Sequence, residues 1–258
     1  MSRRSADTIV VLAALLTVAG GTYALVGALS AEPWVRYALR LESAPGPLNL
    51  PEPVRDELAE RISLRDPGSC DWDIARSRVT IVLDLLRRSA AADAAPAQRD
   101  QAARDAVAVV REGLLCNAAD ANLWYLLALL EYRASSDWGR TQPLLRTSAL
   151  LSPFEGDLLL KRAQLAALAL SRPEARLDLD VASDLRRAMA LAPVAQASAV
   201  LGRLRDAGRG SLADELVVDL PAERLESLAG GTNYRRSTFG KTERYRHFDY
   251  EPFGAGQP

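Results

Sequence analysis

The stretch Ala118-Ala119-Asp120-Ala121-Asn122-Leu123-Trp124-Tyr125-Leu126-Leu127-Ala128 runs from a short turn into an apolar helix, with Leu127 and the small Ala128 three and four positions after Trp124. That helix is predicted over residues 121–134. Outward from it, apolar residues recur at helical spacing in segment after segment. Residues 74–89 carry them at 79, 82, 83, 85 and 86, and further helices are expected over 98–116, 142–151, 156–171, 178–192 and 195–206. The alanine-rich residues 90–97, which include Pro96, read as a connection. No stretch sustains the two-residue alternation of a half-buried strand, so the sequence predicts an all-α fold.

Trp124 fixes a phase for the helices around it. The helix before it then carries Ala106, Val110 and Gly113 at positions that want small, apolar and small residues. The same phase ending at Pro153 selects Thr141, Leu145 and Ser148, and ending at Pro193 it selects Val181, Leu185 and Ala188. Small residues let two paired helices approach, the aromatic fills the gap, and proline ends the second helix. This pattern resembles the tetratricopeptide repeat. The resemblance implies α-α hairpins over about residues 100–195, inside a helical domain spanning 73–206. The chain departs from the family at Ala118, where a proline is usual, in repeat spacings of 35 and then 40 residues, and in a loop extended by Trp138-Gly139. Generic helical packing is the competing reading.

A narrower likeness runs through Leu114-Leu115, Asn122 to Ala128, Leu144-Leu145-Arg146-Thr147-Ser148-Ala149-Leu150-Leu151-Ser152-Pro153-Phe154-Glu155, and Lys161-Arg162. These resemble a family of membrane-anchored, tetratricopeptide-like accessory proteins found with bacterial exopolysaccharide assembly and export machinery. The likeness covers under half the chain and includes no catalytic signature. It implies a non-catalytic scaffold or adaptor of the cell envelope, with protein partners and no cofactor.

Residues 8–31 hold no charged side chain, a run of 24. As a helix it would span roughly 36 Å, against about 30 Å of hydrocarbon. Arg3 and Arg4 before it, with Trp34 and Tyr37 after it, suit the flanks of a single transmembrane anchor in residues 1–31. The basic N-terminus is expected inside, and the body in the periplasm or extracytoplasmic space, although Arg36 and Arg40 dilute that bias. A cleaved signal peptide ending at Val26-Gly27-Ala28 is the rival. Gly20, Ala24 and Ala28 form a stripe that would admit a second transmembrane helix. Small residues are also simply common in this alanine-rich chain.

Residues 32–72 read as a juxtamembrane helix over 35–41, a linker at Pro45, Pro47, Pro51 and Pro53, and a helix over 54–64 stopped by Asp66-Pro67-Gly68. Residues 207–230 carry two short helices, 212–220 and 221–228. Residues 231–258 are polar, turn-rich and expected to be disordered. Yet they hold six of the protein's fifteen aromatic side chains, Tyr234, Phe239, Tyr245, Phe248, Tyr250 and Phe253, among Arg235, Arg236, Lys241, Arg244 and Arg246. Disordered tails are ordinarily aromatic-poor, so these six are the candidate partner-docking residues. Packing back on the chain's own domain is the alternative.

A net charge of −1 argues against nucleic acid as a partner, which needs a concentrated basic surface. Arginine supplies nearly all the positive charge, Lys161 and Lys241 being the only lysines, and this reads as coding bias in a GC-rich genome. A structural zinc site normally needs four Cys/His ligands, and a nucleophilic triad needs a histidine beside its nucleophile. With His247 alone, in the tail, and two cysteines, the sequence nominates no catalytic, cofactor or metal residue. Asp178, Asp180 and Asp184 lie near a helix start and read as carboxylates favouring its dipole. Cys70 precedes the first long helix and Cys116 lies near the end of the second, so the two could meet if those helices pack antiparallel, and an extracytoplasmic body would permit a disulfide. Cys116 also falls at an apolar position, where a free buried thiol is at home. The alternative function is an envelope glycan hydrolase or lyase with two carboxylates about 5–9.5 Å apart, for which no motif stands out.

Overall fold

The computed structural model describes residues 35–41, 70–91 and 95–231, with Thr17, Val18, Gly20, Thr22 and Glu57. Every regular element among the described residues is a helix, so the protein is all-α. The chain divides into two compact units, residues 1–84 and 85–258.

In the first unit, residues 35–41 are helical with Ala38 buried. Helix α1 (Trp72–Ala91), which begins in this unit and ends in the second, starts two residues ahead of the sequence expectation. Asp71 explains the start: its Oδ1 accepts the backbone N–H groups of Asp73 at 2.9 Å and Ile74 at 3.3 Å. Those donors have no carbonyl one turn earlier to meet. The predicted anchor lies outside the described residues except at Thr17, Val18, Gly20 and Thr22, which are helical and exposed. No helix among the described residues is long and apolar enough to cross a membrane. The proline linker also lies outside them, as do the helix over 54–64 except at Glu57 and the tail beyond Gly231.

The second unit contains α2 (Pro96–Cys116), α3 (Ala121–Ser135), α4 (Trp138–Leu151), α5 (Gly156–Leu170), α6 (Leu179–Leu191), α7 (Val194–Asp206), α8 (Gly210–Glu215) and α9 (Ala222–Gly231). Pro96 opens α2, because a first-turn residue has no use for the N–H that proline lacks. Asp120, Asp137 and Asp178 cap α3, α4 and α6, accepting from the N–H groups of Leu123 at 2.9 Å, Arg140 at 3.2 Å and Val181 at 2.8 Å. Beyond α7 the chain reverses through Gly208 at φ 75°, a conformation that costs glycine little.

Two boundaries differ from the sequence reading by four residues or more. Helix α4 begins at Trp138, not Gln142, so Trp138-Gly139 extend a helix and not a loop. Burial decides it: the Trp138 indole is inside, donates Nε1–H to the Arg176 carbonyl at 2.7 Å, and meets Tyr132 edge-on at 6.5 Å. Helix α8 covers Gly210–Glu215 and not 212–220: the Leu216 N–H still reaches the Leu212 carbonyl, but Val217 and Leu220 bond three residues back, to Asp214 and Val217, so the chain goes on in turns.

Helices α3 and α4 form the most extensive pair, and α5 and α6 form a second hairpin. Helix α3 lies beside α5, α5 beside α7, and α4 beside α6, which stacks the hairpins in two layers. Helix α2 packs on α3, and α8 and α9 pack on α7. The nine residues selected by the Trp124 phase, Ala106, Val110, Gly113, Thr141, Leu145, Ser148, Val181, Leu185 and Ala188, are all buried. Ser148 shows why small size matters, since its Oγ donates to the Ala121 carbonyl on α3 at 2.7 Å. Trp124 itself departs from the reading. It is half-buried, and its indole N–H closes the turn into its own helix on the Ala118 carbonyl at 2.8 Å. The interior of α3 belongs to Leu123, Leu126, Leu127 and Ala128.

Candidate functional site

One arginine enters the interior. On α5 the buried stripe reads Leu158, Leu159, Arg162, Ala163, Ala166, so a guanidinium stands among aliphatic side chains. A buried charge is tolerated only when paired and hydrogen-bonded. Arg162 Nε donates to Asp184 Oδ2 at 2.7 Å and Nη2 to Asp184 Oδ1 at 3.1 Å, a two-pronged match to the carboxylate. Its Nη2 also reaches the Ser152 carbonyl at 3.1 Å, and Nη1 the Ser148 hydroxyl at 3.4 Å. One side chain thus ties α5 to α6 and to the end of α4.

Asp184 is therefore not a dipole-capping carboxylate. Asp178 caps α6, and Asp180 in the first turn pairs with Arg146 at 2.7 Å on the surface. Asp184 lies beyond that turn, is buried, and accepts from Arg187 Nη1 at 3.3 Å on Oδ1. Arg162 entered the sequence reading only within the Lys161-Arg162 likeness, and its burial and its pairing with Asp184 were not foreseen. The available signal was a charged residue in phase with an apolar helical stripe.

The cleft beside this pair, between Leu145, Ala149, Ala166 and Val181, measures about 10 Å³. That is the lower limit for a single water. The cluster clamps helices and has no room for a substrate. Among the described residues, no group of three His, Cys, Asp or Glu side chains converges as metal ligands do.

Two further arginines act on carbonyls. Arg209 donates to the carbonyls of Leu170, Arg172, Pro173 and Ala175, gathering the turn after α5. Arg224 on α9 does the same for Met189 and Ala192 at the end of α6. Lysine lacks this planar fork of donors, so the arginine bias has structural use in the fold. Burial raises the Tyr132 phenol above its ordinary range; Arg172, 5.9 Å from the ring, offsets part of this and Glu174 adds to it.

Near the surface ion pair of Arg146 and Asp180, apolar side chains are exposed: α4 ends on Leu150 and Leu151, the turn after it carries Phe154, and α6 ends on Leu191. The Arg187 guanidinium lies 5.7 Å from the centre of the Phe154 ring.

Of the residues nominated from sequence, Cys70 and Cys116 are both disulfide-bonded. Gly20 is helical and exposed, and a side chain there would meet nothing within 4 Å. Ala24, Ala28 and the six tail aromatics lie outside the described residues. No protein-family model, curated protein or solved structure matches the chain.

Proposed function

We propose that this chain is a non-catalytic scaffold of a bacterial cell-envelope assembly, serving exopolysaccharide biosynthesis or export. Residues 8–31 anchor it in the cytoplasmic membrane with the N-terminus inside, and the body faces the extracytoplasmic space. The hairpins are a degenerate tetratricopeptide-like array, a reading supported by the burial of all nine phase-selected residues. The observation that carries the proposal is the edge of that stack. Leu150, Phe154 and Leu191 lie open to solvent beside an interior whose charged cluster has no space for a substrate. Stacked hairpins recruit partners through such surfaces. The disulfide-bonded state of both cysteines supports an oxidising compartment.

Membrane fractionation tests the anchor. The full-length protein should stay with carbonate-washed membranes, and protease added to spheroplasts should digest the body but spare an N-terminal tag. A mature form starting near Leu29, or a protected body, would overturn the topology. Deleting the gene should stop polymer secretion, and unchanged secretion would refute the role. Glycan cleavage by the purified protein would favour the enzyme instead.

A further inference from the structure

Four apolar side chains stand in water where α4 and α6 end. Leu150 and Phe154 are 71% and 72% exposed, Leu191 is 61% and Leu151 43%. Phe154 and Leu191 are linked through Arg187, and Leu150 and Leu151 precede Phe154 by four and three residues. Arg187 stacks on Phe154 and sits four residues before Leu191 on α6, and residues so spaced share a helix face. Glu155 and Asp157, beside Phe154, are exposed and give this edge an acidic border.

The carboxyl-terminal segment leaves the fold close by. Helix α9 lies against the junction of α6 and α7. Arg224 donates to the carbonyls of Met189, at 2.9 Å, and Ala192, while the Leu228 carbonyl accepts from Ser198 Oγ at 3.0 Å. Ser198 is in the second turn of α7, and Leu191 ends the helix before it. By helical rise, Gly231 therefore stands within roughly 20 Å of Leu191. Phe239, eight residues further, reaches up to about 26 Å from Gly231 when extended. Beyond Gly231 come six aromatic side chains, with five basic against three acidic ones. That is the complement of an apolar surface edged by carboxylates.

We propose that residues 232–258 dock on this edge of their own chain, setting aromatic side chains on Leu150, Leu151, Phe154 and Leu191, and basic ones toward Glu155 and Asp157. The inference stands without the membrane or exopolysaccharide roles. A partner that captures the tail must lift it from the edge, so partner binding and self-docking compete for the same aromatic residues.

Photo-crosslinking tests this in the full-length protein, held in lipid nanodiscs to avoid detergent that would coat the edge. A benzophenone amino acid replaces Phe239 or, separately, Tyr245, and the products are mapped by mass spectrometry. Crosslinks should fall within the same chain, on residues 150–157 and 187–191. Phe154→Ser with Leu191→Ser should lower their yield at least fivefold while the thermal unfolding curve is kept. Should that pair unfold, Glu155→Lys with Asp157→Lys, both on the surface, should lower the yield as well. Crosslinks elsewhere on the chain, none at all, or links between isotopically light and heavy copies would each overturn the proposal, the last in favour of a second copy. Yields unmoved by the folded variants would overturn it too.

Discussion

Replacing Asp184 with leucine strands a guanidinium in the interior. The side chains of Arg162 and Asp184 are 1% and 6% exposed, so solvent offers little to either once its partner is gone. After Asp184→Leu, Arg162 keeps only the Ser152 carbonyl and a long contact to Ser148 Oγ. Breaking a buried pair in this way costs about 3–5 kcal/mol. Arg162→Met should cost less, about 2–3 kcal/mol, because Asp184 retains Arg187 Nη1 at 3.3 Å. The double variant leaves no uncompensated charge in the core and should lie within about 1 kcal/mol of the parent. Urea unfolding followed by far-UV circular dichroism measures all three, with an unchanged denaturant slope confirming comparable transitions. Single variants each costing under about 1 kcal/mol, or a double variant equal to their sum, would refute the clamp.

Trp138→Phe keeps the ring but leaves the Arg176 carbonyl without its donor, and should cost about 1–2 kcal/mol in the same assay; no measurable loss would mean that water replaces the bond. Tyr132 holds its proton in the folded chain beyond the pH at which the unfolded chain releases it, so stability should fall as pH rises above about 10. Tyr132→Phe should flatten that fall, and an unchanged slope would show that other groups cause it. Denatured, unreduced protein should show no reactive thiol and two after reduction, whereas two before reduction would contradict the disulfide-bonded state of Cys70 and Cys116.

What was legible in the sequence followed from periodicity and size. The apolar spacing marked the helices, and the phase taken from Trp124 marked nine residues that are all buried. These nine are buried although Trp124 is only half-buried, and burial alone is also what generic helical packing gives. The start of α4 was missed although Asp137 is a local capping signal, because Trp138-Gly139 read as a loop and the carbonyl that holds Trp138 inside, that of Arg176, is 38 residues away. Asp184 was misjudged for a related reason. Asp184 lies beyond the first turn, where the dipole no longer favours a carboxylate, and the partner that accounts for it inside, Arg162, is 22 residues away.

The buried cluster and the exposed edge are parts of one arrangement, with Arg187 the connection. Its Nη1 rests on Asp184 and its Nη2 on Ser183 Oγ at 3.2 Å, which leaves the guanidinium face free for Phe154. The turn that carries Phe154 is held as well. Arg162 binds the Ser152 carbonyl, and the Ser152 hydroxyl donates to Glu155 Oε2 at 2.9 Å. An aromatic ring that is 72% exposed gains little from burial, and its contacts here are the Arg187 guanidinium beside it and the hydrogen-bonded turn that carries it. Ordering a side chain costs conformational entropy when it happens on binding. Here that ordering is supplied by the fold, so whatever covers Phe154 binds a prearranged surface and loses less on docking. Removing Asp184 therefore acts at two levels. It leaves Arg162 unpaired inside, and it frees Arg187 from the position in which it holds the ring.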